Sequence, residues 1–244
     1  MNPDNLSCTV ARGFCTHNAE IEKTLGKSEL RLLCAPFSLA GAVPPAWLDT
    51  HEHDRCQAYR FAADRKRHLL AHGLKRWAIG YLLDVAPRKL RFTVGEWGKP
   101  ALLDEALHFN LSHSAGWVVL ALYRQAAVGV DVEAGHGATM DPASWPDITH
   151  PGESAPDNGR SFLTAWTLKE AISKCSGEGL MMDFRRLCLR SQGGLRHRYH
   201  ATDGERHWHA GHEHLDSNTH LAYASVMPWE IVTRQLVLSF DRMR

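Results

Sequence analysis

Two helical stripes, each followed by a train of short alternating segments, constrain this chain more than any other feature. Over residues 60–84, Leu70, Leu74, Trp77 and Tyr81 stand at i, i+4, i+7 and i+11, one buried stripe of a helix. Arg60, Asp64, Arg67, His68 and Lys75 fall largely away from it, and Pro87 closes the segment. Over residues 162–175, Phe162, Ala165, Leu168, Ile172 and Cys175 share one side, and Gly177 and Gly179 end the run. Strand character appears at residues 31–39, broken at Pro36, and at residues 88–94, where Leu90, Phe92 and Val94 alternate with polar residues. It recurs at residues 109–112, 117–123, 127–133 and, in short runs, 185–240. The turn at Arg124-Gln125 predicts a hairpin between the two β-rich runs that flank it. Helix then strands, twice over, reads as α+β rather than regular βαβ units.

Composition narrows the class. No apolar run approaches the ~18 residues a membrane helix needs; the longest, Trp117–Tyr123, has seven. No basic stretch followed by an apolar one opens the chain, so no secretory signal is expected. Six scattered cysteines without a C-x-x-C pair point to free thiols in a reducing cytoplasm. The formal net charge is only +1, but it is unevenly placed. Residues 54–103 carry eleven Lys/Arg and four acids (+7), and residues 104–178 carry ten acids and four Lys/Arg (−6). The basic stretch suits phosphates, whereas the acidic one would repel a nucleic acid. Seven of the sixteen histidines are His197, His200, His207, His209, His212, His214 and His220. With no cysteine or clear acid-plus-histidine spacing beside them, they read as exposed strand and turn histidines, with a proton-responsive or adventitious metal surface as the alternative. Residues 134–159, with four Gly, four Pro and one branched aliphatic residue, Ile148, read as a mobile loop.

Four motifs carry possible chemistry. In Gly129-Val130-Asp131-Val132-Glu133, strand alternation puts Asp131 and Glu133 on one face, about 6.6 Å apart along the chain. Two such carboxylates are costly unless solvated or bridged by a cation, and hard oxygen ligands suit Mg²⁺. A solvated edge-strand pair is the plain alternative. In Trp166-Thr167-Leu168-Lys169-Glu170-Ala171-Ile172-Ser173-Lys174, Glu170 and Lys174 stand at i, i+4 away from the apolar side. They are either a surface ion pair or a third carboxylate with a cation for phosphate. Ser112 and His113 end a short strand; adjacent residues do not normally form a nucleophile–base pair, so phosphate contact is the better reading. Arg65-Lys66-Arg67-His68 on the first helix and Lys99 in a Gly-Lys-Pro turn complete the set, with a solvated charged face as the plain alternative.

In this order and spacing, the chain resembles the Sfp-type 4'-phosphopantetheinyl transferases. The resemblance rests on residues 60–67, Gly98-Lys99-Pro100, Phe109-Asn110-Leu111-Ser112-His113-Ser114, Gly129-Val130-Asp131-Val132-Glu133, His150-Pro151-Gly152-Glu153 and Trp166-Thr167-Leu168-Lys169-Glu170-Ala171 with Lys174 and Gly177. It implies a cytoplasmic, pseudo-two-fold monomer of two similar helix-plus-antiparallel-sheet halves, residues 1–116 and 117–244, with the site between them. It implies Mg²⁺ on Asp131, Glu133 and Glu170, catalysis by Glu170 and Lys174, and coenzyme A as co-substrate. Lys99, Ser112, His113, Asp131 and Lys174 would meet its phosphates, and Arg60, Arg65 and Arg67 its adenosine end. The acceptor would be a serine of an apo acyl or peptidyl carrier protein, with neither nucleic acid nor membrane as partner. The acidic loop 134–159 departs from the family's more apolar, partly helical sequence, which leaves Glu153 open as a metal partner. A non-catalytic coenzyme A or carrier-binding module and a metal-dependent phosphohydrolase are the competing readings.

Overall fold

A computed structural model of the chain describes residues 23–104, 106–114, 116–135, 141–193 and 197–240. Cys8, Cys15 and the polar segment 1–22 lie outside these residues. The architecture is α+β, built as two sheets back to back with a long helix on each outer face. In the first sheet, β11 (Ile231–Leu236) runs parallel to β1 (Glu29–Pro36). On the other side of β1 lie β5 (Trp117–Tyr123) and then β4 (His108–Ser114), both in antiparallel pairing. The second sheet is antiparallel in the order β6 (Val128–Ala134), β10 (Thr219–Ser225), β9 (His207–Asp216), β8 (Arg198–Thr202) and β7 (Cys188–Ser191).

Strand alternation assigns each face its partner. Leu33 and Ala35 of β1 and Val118, Leu120 and Leu122 of β5 meet α2 (Ala62–Leu83) through Leu70, Leu74, Ala78 and Ile79. The alternate residues, Leu30, Leu32, Val119 and Ala121, meet Val128, Val130, Val132 and Leu221 of the second sheet. The far face of that sheet, with Ala210, Ala222 and Ala224, packs on α3 (Gly159–Ser176) through Phe162, Leu168, Ala171 and Ile172. Gly177 ends α3 at φ 89°, a left-handed conformation that glycine adopts without cost.

Three expectations change here. β5 and β6 do not form a hairpin: the link through Arg124 and Gln125 carries the chain from one sheet to the other. Both strands are buried on both faces, so each takes its edge partners elsewhere. Residues 88–94 shorten to β2 (Phe92–Val94), which pairs with β3 (Pro100–Leu102). In the Pro/Gly-rich loop, residues 136–140 lie outside the described set, but Pro142–Asp147 forms a 3-10 helix. Trp145 stacks on Phe162 at 6.0 Å and Ile148 is buried, so two apolar residues anchor what composition alone reads as mobile. β5 and β11, both beyond residue 116, belong to the first sheet.

The basic surplus of residues 54–103 is partly neutralised from outside that segment. Lys75 and Arg76 of α2 are buried with Glu52 of α1 (Thr50–Ala58), whereas Lys75 is expected to face away from the apolar stripe. Glu52 accepts from Lys75 Nζ at 2.6 Å, from His72 Nδ1 at 2.8 Å and, closely, from Arg76. Arg76 also pairs with Asp49, which caps α1, and donates to the carbonyls of Pro87 and Leu90. Burial alone would raise the Glu52 carboxyl; His72 and Lys75 outweigh it and hold the group well below the usual carboxylate range. Glu52→Gln would leave the buried Lys75 without a carboxylate and Arg76 with Asp49 alone, so urea unfolding at pH 7 should show a loss of about 3–5 kcal/mol. Because Glu52 is depressed in the folded state, its contribution is fully present above the ordinary value of 4.5 and is lost as pH falls below it.

Candidate active site

The outer edges of the two sheets meet where β4 lies beside β6. An edge strand presents backbone N–H groups that its own sheet leaves unpaired. Here side chains at alternate positions of β4 take them up: Asn110 Oδ1 accepts from Val130 N at 2.9 Å, Ser112 Oγ from Val132 N at 3.2 Å and Ser114 Oγ from Ala134 N at 3.1 Å. The same hydroxyls donate to the acids of β6, Ser112 to Asp131 at 2.9 Å and Ser114 to Glu133 at 3.2 Å. The motif ending in Ser112 and His113 thus aligns the carboxylates of the motif that follows it. Asn110 and Ser114 hold the same seam although neither is among the expected site residues; their two-residue spacing from Ser112 is the available signal.

From the other side comes α3. A Cβ added at Gly129 would lie 1.9 Å from the carbonyl oxygen of Ala171 and 2.4 Å from the nitrogen of Cys175. Only glycine lets the helix backbone settle this close to the strand, and the contact brings Glu170 and Lys174 onto Asp131 and Glu133. Glu170 is buried, not solvent-facing, and Lys174 does not form the surface pair with it that the i, i+4 spacing offers. Lys174 Nζ donates instead to Asp131 Oδ1 at 2.5 Å and to Ser112 Oγ at 3.2 Å.

Lys174 thus pairs with Asp131 and lies within electrostatic range of Glu133 and Glu170. Asp131 is 2 % exposed, and its Oδ2 is buried without a hydrogen-bond partner. Burial first, then the charges of Asp131 and Glu133, raise the Glu170 carboxyl. Burial and the Asp131 charge raise Glu133 as well. An orphaned carboxylate oxygen beside two acids that resist ionisation suits the chemistry of a hard divalent cation, which Asp131, Glu133 and Glu170 would hold.

The remaining expected residues divide. His113 is exposed at the end of β4, within electrostatic range of Arg67. Arg67 is held by Asp64 at 2.6 Å, and Arg65 donates to the carbonyls of Tyr59 and Arg60. Arg60 is exposed, over the ring of Phe61 at 5.4 Å. Lys99 reaches from the turn before β3 to the carbonyls of Val128 and Cys175, both at 2.9 Å, and so ties that turn to the end of α3. Glu153 stands apart from the carboxylates: it accepts from the buried Lys169 at 2.9 Å and from the nitrogens of Leu189 and His150.

Residues 127–224, which hold β6, α3 and the three carboxylates, match the model of the 4'-phosphopantetheinyl transferase superfamily. Residues 41–125 match that of the 4'-phosphopantetheinyl transferase N-terminal domain. The chain belongs to the 4'-phosphopantetheinyl transferase superfamily. The two matches meet at residue 126, where the chain crosses from one sheet to the other. A 4'-phosphopantetheinyl transferase of Bacillus subtilis is 30% identical over 149 residues, 56% of this chain and 63% of the relative. A phosphopantetheinyl transferase of Thraustochytrium is 32% identical over 174 residues, 62% and 60%. The 4'-phosphopantetheinyl transferase Sfp of Bacillus subtilis is 27% identical over 143 residues, 56% and 63%. The chain thus matches less than two thirds of the length of these relatives.

Two outcomes follow from the packing. Gly129→Ala should lower unfolding stability by about 3 kcal/mol, near the upper end for overpacking, in a denaturant titration. Glu170→Gln should behave oppositely without added cation. At pH 7 ionisation of a group whose folded-state value is raised costs the folded state, so the amide should be the more stable form, read as a higher melting midpoint.

Proposed function

We propose that this chain transfers 4'-phosphopantetheine from coenzyme A to a serine of an apo acyl or peptidyl carrier protein, with Mg²⁺ as cofactor. The observation that carries the reading is the convergence of Asp131, Glu133 and Glu170 on Lys174 at the seam of the two sheets, with Asp131 Oδ2 left over. In the transfer, the carrier serine Oγ bonds to the phosphorus next to pantetheine and the pyrophosphate P–O bond breaks. The products are 3',5'-ADP and the phosphopantetheinylated serine.

Asp131, Glu133 and Glu170 would hold Mg²⁺, which when bound supplies positive charge for the pyrophosphate oxygens. Positioning and electrostatics make up most of such catalysis, and the residues here fit that division. Glu170, raised by burial, is suited to take the serine proton, directly or through water. Lys174 would neutralise or protonate the departing phosphate. Ser112 holds Asp131 and Lys174 in place and, with His113, faces the phosphates, while the Arg60–Arg67 end of α2 serves the adenosine bisphosphate. Lys99 enters this reading as a phosphate contact that must first leave the Val128 and Cys175 carbonyls. The two sheet-and-helix units are the pseudo-two-fold halves in this reading, and one chain supplies every group named, as a monomer would. The four described cysteines, Cys34, Cys56, Cys175 and Cys188, are free and buried, which supports a reducing compartment, the cytoplasm.

Incubation with coenzyme A, Mg²⁺ and a panel of apo carriers from fatty-acid, polyketide and peptide assembly should add one phosphopantetheine group to a carrier by intact mass. Glu170→Gln should abolish the gain while circular dichroism shows the fold intact. Full transfer by that variant removes Glu170 from its role. Absence of mass gain on every carrier favours a binding module, and hydrolysis of coenzyme A without acceptor favours a phosphohydrolase.

A further inference from the structure

The histidines of the second sheet are not all exposed strand residues. His212 and His220 are 4 % and 3 % exposed, and His214 is half-buried. His212 and His214 stand two apart on β9, so both project from one face. His220 sits opposite His214 on β10, immediately after a register irregularity at Thr219. Ala222, the cross-strand partner of His212, packs with α3, so the three rings lie on the α3 side of the sheet.

The three imidazoles form one cluster. Their ring centroids are 5.2, 5.1 and 4.5 Å apart, and one ring nitrogen from each lies within 4.8 Å of the other two. His212 Nε2 and His220 Nδ1 are 3.0 Å apart, while His214 Nδ1 is buried with no hydrogen-bond partner. Burial, then the neighbouring imidazoles, hold His212 at about 3; burial and His214 hold His220 at about 4. Both rings are therefore neutral at pH 7, the form that binds metals. The titratable and charged groups that bear on the cluster are Arg160 at the start of α3, His197, Asp216 at the end of β9, and Glu133, the cross-strand neighbour of His220 on β6. Arg160 opposes a cation, Glu133 favours one, and Arg160 is turned toward the carbonyl of Ser217 at 3.3 Å.

We propose that His212, His214 and His220 form a binding site for a divalent transition-metal ion of the zinc class, separate from the carboxylate site. Neutral imidazole suits Zn²⁺, Co²⁺, Ni²⁺ and Cu²⁺, whereas the carboxylates suit Mg²⁺, so the two donor sets select different ions. Tetrahedral zinc, with bonds of about 2.0–2.1 Å, separates its ligand nitrogens by roughly 3.3–3.4 Å. The observed spread asks only for His212 and His220 to part slightly and His214 to move in. Water completes the fourth position.

The test is titration of the metal-free full chain with Co²⁺, read by visible absorption. One Co²⁺ per chain should bind with the intense bands of four-coordinate geometry, be displaced by Zn²⁺ and persist in excess Mg²⁺. His214→Ala should weaken binding at least tenfold and remove the Zn²⁺-dependent rise in melting temperature; its metal-free melt shows whether it folds. Should that variant unfold, His220→Gln, which keeps a polar group in place, is measured the same way. Asp131→Asn and His209→Ala should retain the bands. Weak octahedral bands, bands unchanged by His214→Ala or His220→Gln, or bands lost in Asp131→Asn or His209→Ala would overturn the assignment.

Discussion

The side-chain ladder from β4 to β6 is the interaction on which the rest of the site depends. A sheet edge with unpaired N–H groups is normally a hazard, open to pairing with another chain. In this fold three short polar side chains occupy the edge of β6. Their chemistry makes them more than plugs, because a hydroxyl can accept from the backbone and donate to a carboxylate at once. Ser112 and Ser114 use both capacities, so one set of hydrogen bonds joins the two sheets and aims two acids.

Once β6 is held from one side, α3 completes the arrangement from the other. Its backbone rests on Gly129, and the helix repeat then places Glu170 and Lys174 one turn apart over the strand. The price is electrostatic: three acids are gathered around one lysine in a poorly solvated seam. Such a grouping is badly satisfied as it stands, and that incompleteness is what the proposed cation would relieve. The Glu52 cluster provides the contrast. There two acids, two full cations and backbone carbonyls satisfy one another within the fold, so the cluster serves structure.

Much of this was legible in the sequence, and the failures have physical causes. The stripe of Leu70, Leu74 and Trp77 and the glycine stop at Gly177 locate both long helices, because helix periodicity and caps are local signals. Asp131, Glu133, Glu170 and Lys174 were legible as a set through their motifs. Partner choice was not: β5 and β6 look like a hairpin because alternation reports burial and says nothing about which edge pairs with which. Lys75 and His68 follow a helical face correctly yet are buried, since α1 covers that face and brings Glu52. The same limit applies to His212 and His220, whose burial depends on α3, some forty residues earlier in the chain.

The parallel pairing of β1 with β11 carries a consequence for how the chain acquires this structure. The register joins Glu29 to Ile231, partners about 200 residues apart. During synthesis, one edge of β1 has no partner until β11 has been made. The first sheet cannot close as an independent early unit, although its other strands are all present by residue 123. Loop-closure entropy falls on this last pairing, which makes assembly of the two sheets slow and mutually dependent.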